Sequence, residues 1–350
     1  MRGIELKWFG SYLDDRRQVV SVDGLQSEEL GVECGVPQGS ILGPLLFSLY
    51  INDITHAASK CKIILYADDT AIYFSHENAA EIQLALREDF NAVSEWLELN
   101  KLTLNASKTK CMFFGTASML ARASPLVLSH RGCTIEHVSI FKYLGVTLDS
   151  ELKFDSHLSS LCKKISSRIG VLGRIRRYLP LKHRIMIFNA IILPHFDYAS
   201  IAWSNTDAKY TDPLLALQRR AARVILGVST SEGILRDLKW IPMDVRWTIQ
   251  RATMVFKISR NLVPGYMAQR FESLSETYSG SGRITRGRSE GNYQPCVSGT
   301  NWGRRRLASH GVFIWNGLPG SVKALQTIKK FISALKNLAF TDFKFYKLKS

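Results

Sequence analysis

Lys62-Ile63-Ile64-Leu65-Tyr66-Ala67-Asp68-Asp69-Thr70-Ala71-Ile72-Tyr73-Phe74 holds two short apolar runs, Lys62–Tyr66 and Thr70–Phe74, parted by Ala67-Asp68-Asp69. Runs rich in Ile, Tyr and Phe around a polar break predict a β-hairpin with the acidic residues at its tip. Two adjacent carboxylates on a tight turn are hard oxygen donors suited to Mg²⁺. Aspartate is also common in turns because it bonds its own backbone, so these four residues alone favour an ordinary turn.

The stretch upstream changes that balance. Gly35-Val36-Pro37-Gln38-Gly39-Ser40 lies about 30 residues before the acidic pair and leads into Ile41-Leu42-Gly43-Pro44-Leu45-Leu46-Phe47. The spacing of Ile41, Leu42, Leu45, Leu46, Leu49, Tyr50 and Ile54 predicts a buried helix over 41–57. Gly35 and Gly39 let backbone approach a ligand closely, Gln38 offers both a donor and an acceptor, and the helix N-terminus behind them favours phosphate. A loop that only caps a buried helix accounts for the glycines but not for the whole string.

Downstream, Ile82, Leu86, Phe90, Val93 and Leu97 recur at helical spacing, so 78–99 reads as an amphipathic helix, with Asn78 and Glu81 placed as a capping box. Strands are expected near 111–114 and 141–148, with a loop and small hairpin over 117–139 between them. From Phe154 the period becomes helical: Leu158, Leu161, Ile165, Ile169, Leu172, Ile175 and Leu179 predict one long helix, whose other faces carry Lys163, Lys164, Arg168, Arg174, Arg176 and Arg177. Further helices are expected near 181–193, 210–226, 243–262 and 321–338. The Gly-, Ser- and Arg-rich stretch 272–311 reads as a mobile basic linker.

The chain has 350 residues and a formal net charge of +16, unevenly placed. Residues 1–150 hold 13 Lys/Arg against 18 Asp/Glu, a net −5, whereas residues 151–350 hold 33 against 12, a net +21. A basic half of this kind gains from releasing counterions off a phosphate backbone. An apolar fraction of 46% suits a folded protein, and no window approaches the roughly 18 apolar residues of a membrane span. Six cysteines stand far apart with no C-x-x-C pair, which argues against zinc and against a disulfide framework, and for a reducing compartment, nucleus or cytoplasm.

Taken in order, Gly35–Phe47, Tyr66-Ala67-Asp68-Asp69, Leu104-Asn105-Ala106-Ser107-Lys108-Thr109-Lys110 and Phe141-Lys142-Tyr143-Leu144-Gly145 resemble the reverse transcriptases of non-LTR retrotransposons, close to the jockey-like kind. Ile192–Tyr198, Leu217–Arg223 and Trp315–Pro319 resemble later regions of the same elements. The resemblance implies a fold of the α/β plus α class: an incomplete right-hand polymerase palm over 1–150, a helical thumb over 151–271, and a basic linker with a C-terminal helix over 272–350. It implies RNA-directed DNA synthesis by two-Mg²⁺ nucleotidyl transfer, on an RNA template with a DNA primer and dNTP substrates. Asp68 and Asp69 are then the metal ligands and Lys108 a residue assisting pyrophosphate departure. Pro37, Gln38, Gly39, Ser40 and Tyr66 line the nucleotide and template site, and Phe141, Lys142, Tyr143, Leu144 and Gly145 form the primer grip. The basic faces named above, with Arg304, Arg305 and Arg306, are expected on phosphate.

One departure stands out. The family carries a further aspartate, in a strand with a pattern like A-F-D, ahead of the segment resembling Trp8–Leu13; only seven residues precede Trp8. Asp14 and Asp15 follow that segment where a surface turn is expected and do not substitute. The resemblance therefore implies a chain inactive alone, either a non-catalytic nucleic-acid-binding remnant of a mobile element or part of a longer reading frame.

Overall fold

The computed structural model describes residues 2–124, 126–230, 233–271, 291–296 and 301–341. They fall into two compact units, one ending at Ser139 and one beginning at Ile140.

In the first unit, helix α1 (Ile4–Leu13) precedes four two-residue strands, β1 (Arg17–Gln18), β2 (Ser21–Val22), β3 (Leu25–Gln26) and β4 (Leu30–Gly31), paired β1 with β4 and β2 with β3. Helix α2 (Gly43–Tyr50) starts with a proline at its first turn, where no amide hydrogen is needed, and runs into a 3₁₀ turn, Asn52–His56. Strands β5 (Lys62–Tyr66) and β6 (Asp69–Tyr73) form the expected antiparallel hairpin, in register from Lys62 opposite Tyr73 to Tyr66 opposite Asp69. Helix α3 (Ala79–Leu99) covers it. Asn78 caps α3 by accepting from the Ala80 amide at 2.9 Å. Strand β7 (Lys110–Cys111) is shorter than the run expected over 111–114, and the loop expected after it contains helix α4 (Ala117–Arg122). The hairpin of β8 (Leu128–His130) and β9 (Cys133–His137) joins β7 through a parallel β7–β9 pairing.

Two small cores hold this unit. Ile51, Ile54 and Val93 pack with Phe47, Ile63, Leu65 and Ile72; Phe90, Cys111, Leu126, Leu128 and Ile135 pack with Leu104, Ala106 and again Ile72. Ile72 on β6 and helix α3 thus tie both cores to the hairpin. A buried aspartate adds a polar fastening. Asp89 on α3 accepts from the amides of Ser59, Lys60 and Cys61 at 3.0, 2.8 and 2.5 Å and from the Ser59 hydroxyl at 3.1 Å. Burial opposes its ionisation, but those amide donors outweigh it and hold its pKa down to about 2.

The second unit opens with the hairpin of β10 (Ile140–Tyr143) and β11 (Val146–Asp149). The Asp149 carboxylate then caps the link to helix α5 (Asp155–Ile175), accepting from the amides of Glu151, Lys153 and Phe154 at 3.2, 2.9 and 2.6 Å. The helix expected over 154–179 ends at Ile175 in a 3₁₀ turn, Arg176–Tyr178. Next come α6 (Leu181–Ile187), a π-helical turn over Phe188–Ile192, α7 (Leu193–Asp197), α8 (Ser200–Trp203) and α9 (Ala208–Leu226), which ends at Gly227 with a left-handed φ of 80°. Beyond α10 (Ile234–Asp237), α11 (Met243–Ser259) serves two cores. One side joins Leu158, Ile165, Ile169, Phe188, Phe196 and Trp203; the other joins Ile314, Trp315, Phe331 and Leu335. Trp203 and Trp247 meet edge to face at 5.3 Å between ring centres.

The remaining helices are α12 (Gly265–Ala268), α13 (Asn301–Arg305), α14 (Val312–Asn316), α15 (Gly320–Lys323) and α16 (Ile328–Thr341). This corrects the expectation of a mobile linker through 311. Residues 301–311 are helical, with a π turn over Leu307–Gly311, and Gly311 is buried so tightly that an added Cβ would meet Leu307 Cδ1 at 2.8 Å. Gly, Ser and Arg composition misled here because close helix packing also selects small residues. The rest of that expected linker, 272–290 and 297–300, lies outside the described residues. None of the described helices is long and apolar enough to cross a membrane.

Candidate active site

The β5–β6 hairpin closes on Ala67 and Asp68, two residues between the paired Tyr66 and Asp69. So tight a turn requires a left-handed residue, and Ala67 takes it with φ of 52°. One face of the hairpin, carrying Ile63, Leu65 and Ile72, is packed into the cores, while Tyr66, Ala67, Asp68 and Asp69 are exposed. Among the described residues neither carboxylate accepts a hydrogen bond or pairs with a cation, in contrast to Asp89.

The Gln38 loop is built as a separate shelf. Arg16 donates to the Gly35 carbonyl at 2.7 Å, and the Ser40 hydroxyl accepts from the Gly43 amide at 2.9 Å. A Cβ at Gly43 would stand 3.1 Å from that hydroxyl and 3.4 Å from the Pro37 carbonyl, so the loop can fold back onto the helix start only over glycine. Gln38 and Gly39 are exposed, and Pro37 and Ser40 half-buried. Lys108 is exposed on a turn whose amide donates to the Asn105 side chain at 3.1 Å. Helix α2 behind the loop shares the Ile72 core with the hairpin, and so do Leu104 and Ala106 ahead of Lys108.

Phe141, Lys142, Tyr143, Leu144 and Gly145 fall in the second unit, although the sequence reading grouped them with the carboxylates. They form β10 and its turn. Leu144 and Gly145 have φ of 44° and 80°, so both central residues are left-handed, as a two-residue hairpin turn of matching twist requires. Tyr198, just past α7, clasps this turn: its hydroxyl donates to the Leu144 carbonyl at 2.7 Å, and a Cβ at Gly145 would sit 3.1 Å from its ring. Asp197 beside it binds Arg246 of α11 with both oxygens, at 2.6 and 2.7 Å, and accepts from Gln250 at 2.8 Å. The resemblance of Ile192–Tyr198 to later regions of the family assigns no task to Asp197 or Tyr198, and a Leu-Gly pair does not point to a tyrosine partner 54 residues on.

On the basic side, Lys163, Lys164, Arg174 and Arg177 are exposed and Arg176 half-buried. Arg168, half-buried, donates to the Ile191 carbonyl at 2.7 Å on the surface. The tail cluster departs further from expectation. Arg305 pairs with Asp207, and Arg306 donates to the Gly303 carbonyl at 3.2 Å and to the Cys296 sulfur at 3.4 Å. Arg304 and Arg306 are both exposed and Arg305 half-buried, and Arg304 is the one of the three with no such internal bond among the described residues.

A family profile described as reverse transcriptase (RNA-dependent DNA polymerase) matches residues 2–148. Those residues form a reverse transcriptase domain. Such a domain implies a palm-and-thumb polymerase fold. The reverse transcriptase match ends inside β11, so it runs past the division at Ser139 and includes the hairpin clasped by Tyr198. The chain is 29% identical over 242 residues to the RNA-directed DNA polymerase from mobile element jockey of Drosophila melanogaster, and 31% identical over 227 residues to its counterpart in Drosophila funebris. These matches cover 65% and 62% of this chain, more than the reverse transcriptase domain alone, but 26% and 24% of the relatives. The chain thus spans about a quarter of the length of the jockey polymerases it matches. A Pol polyprotein from the type-1 retrotransposable element R1 2 of Nasonia vitripennis is 28% identical over 243 residues, 65% of this chain and 58% of that protein.

Proposed function

We propose that this chain supplies the carboxylate hairpin, nucleotide loop, primer grip and thumb of an RNA-directed DNA polymerase of a non-LTR retrotransposon, acting in the nucleus or cytoplasm. The observation that carries this reading is the exposed Asp68–Asp69 pair, free of internal partners among the described residues, on a hairpin whose cores also hold Phe47 of the helix behind the Gln38 loop and Leu104 and Ala106 ahead of Lys108.

Two carboxylates fit one Mg²⁺, which is ordinarily bound by one or two carboxylates with water and phosphate oxygens completing the shell. Among the described residues no group of three or more His, Cys, Asp or Glu gathers that could hold a metal ion. The pair therefore fits a single ion and is too small a set for two. When bound, the ion supplies positive charge against the transferring phosphoryl group. This chain's own residues do the rest. Gln38 and the glycine loop set the incoming nucleotide and template base, Lys108 neutralises charge on departing pyrophosphate, and the turn at Leu144–Gly145 seats the primer terminus.

The small carboxylate set favours a second statement: residues 1–350 by themselves bind template–primer without extending it. Purified 1–350 should incorporate no dNTP on an RNA template with a DNA primer, whereas a longer frame that adds a strand with another aspartate should extend the primer. In that longer protein Asp68→Asn should lower kcat by about 100-fold or more with primer–template affinity unchanged, as expected for a group acting only in the transition state. Robust incorporation by 1–350 would overturn the second statement. A longer Asp68→Asn protein that keeps half its rate would overturn the role of Asp68.

A further inference from the structure

At the C-terminal end of α9 a cleft of about 230 Å³ opens between α9 and the 3₁₀ turn after α5. It is lined by Arg176, Arg220, Arg223, Val224, Val228 and Ser229. Three guanidinium groups thus share one concavity, and among the described residues no carboxylate lies within ion-pair distance of any of them. The fold holds them in place by other means. Arg220 donates to the Ser166 hydroxyl at 2.6 Å, Arg176 Nη1 lies against Gly227, and the last carbonyls of α9 give the arginines the negative end of a helix dipole. Uncompensated like charges in a concave wall raise the local positive potential, and the planar fork of arginine matches phosphate oxygens.

The same 3₁₀ turn carries Tyr178, 70% exposed, with the Arg177 guanidinium 4.8 Å above its ring. An aromatic ring this open beside a phosphate seat serves a base that is free to leave its stack, since base–aromatic stacking needs an unpaired face. We infer that this cleft is a phosphate seat for an unpaired stretch of nucleic acid, with Arg176, Arg220 and Arg223 on the backbone and Tyr178 as a stacking platform. The inference rests on the polymerase reading for its ligand class and extends it to residues outside the carboxylate, nucleotide and primer sites.

The test is a salt titration of binding by the full chain to a 12-nucleotide single strand, as RNA and as DNA, beside a blunt duplex. Arg220→Gln/Arg223→Gln should weaken single-strand binding and flatten its log–log salt slope by about 1.4, at roughly 0.7 per phosphate contact. Arg223→Gln alone, whose side chain makes no hydrogen bond among the described residues, should give about half that change and guards against misfolding of the double variant. Tyr178→Ala should cost about tenfold on single strands with the slope unchanged and duplex affinity intact, while Tyr178→Phe should bind like the unaltered protein. RNA and DNA arms that respond alike support a backbone seat. Unchanged slopes in the arginine variants, with the unaltered protein still binding, overturn the cleft and leave the polymerase reading standing. Equal losses on duplex and single strand in Tyr178→Ala overturn the unpaired strand, and failure of the unaltered protein to bind any of the three overturns both readings.

Discussion

Three aspartates show how residue type and residue task separate. Asp68 and Asp69 stand exposed with no described partner, whereas Asp89, 2% exposed, is saturated by amide and hydroxyl donors. A carboxylate that is to hold a cation, as proposed for Asp68, has to be left unsatisfied by its own fold; one that fastens a helix, as Asp89 does, must not be. Asp89 therefore bears on stability. Its folded pKa of about 2 lies below the unfolded value, so its contribution is present above about pH 4 and is lost as the pH falls toward 2. That contribution is about 2–3 kcal/mol by linkage. Asp89→Asn should lower the stability of the first unit by a similar amount at neutral pH, and the difference from the unaltered protein should vanish in acid denaturant melts. A pH-independent difference would place the effect in packing instead. At Ala67 the left-handed φ works against a Cβ, so Ala67→Gly should stabilise the hairpin by about 1 kcal/mol or slightly less in a thermal melt.

At the scale of elements, the turn at Leu144–Gly145 is held by Tyr198, 54 positions beyond Leu144. Tyr198→Phe keeps the ring against Gly145 and deletes one hydrogen bond, a loss of about 1 kcal/mol. Amide exchange at Gly145 and Val146 should accelerate about fivefold accordingly; exchange at an unchanged rate would show that the strands alone hold the turn. Helices α3, α5, α9 and α11 and the acidic hairpin were legible in the sequence because their apolar residues recur at 3.6 or alternate around a polar tip. The halt of α5 at Ile175 was not, since Arg176, Arg177 and Tyr178 continue a helical composition and only the tertiary setting of the next helix decides the break. The proposed site was legible only as a set of segments: Gly35–Ser40, Asp68–Asp69 and the turn before Lys110 stand in the motifs that carry the resemblance. Which unit each segment joins was not, because the hairpin over 140–149 is followed by the Asp149 cap, whose three amide bonds bind it to α5 rather than to the strands before it. The internal pairing of Arg305 was hidden for the complementary reason: charge is visible in a sequence, and Asp207, 98 residues away, is not visibly its partner.

For the whole molecule, the two units carry different acid sensitivities. In the second, burial and then the nearby Arg251 push the His310 pKa down to about 4, so this imidazole is neutral when folded. The unfolded chain binds a proton there near pH 6.5, so the second unit loses stability as the pH falls below 6.5, by up to about 3 kcal/mol at pH 4. His310→Gln should remove most of that loss. The first unit, governed by Asp89, should yield only at lower pH. Tryptophan fluorescence, to which the second unit contributes five of the seven tryptophans (Trp203, Trp240, Trp247, Trp302 and Trp315), should therefore begin to change before the circular dichroism of the first unit as acid is added. A single coincident transition would show that the units unfold together. The cysteines divide in a way that serves such measurements. Burial, reinforced by Asp89, pushes the Cys61 thiol up to about 12, and burial raises Cys111 and Cys162 as well, whereas Cys34, Cys133 and Cys296 are exposed. Only a thiolate reacts with a maleimide at useful speed, so a dye offered to the unaltered chain partitions to those three positions and spares both interiors. Cys34 is the residue before Gly35, so a fluorophore attached there sits beside the Gln38 loop and would report on the nucleotide proposed to bind it without any cysteine being added or removed.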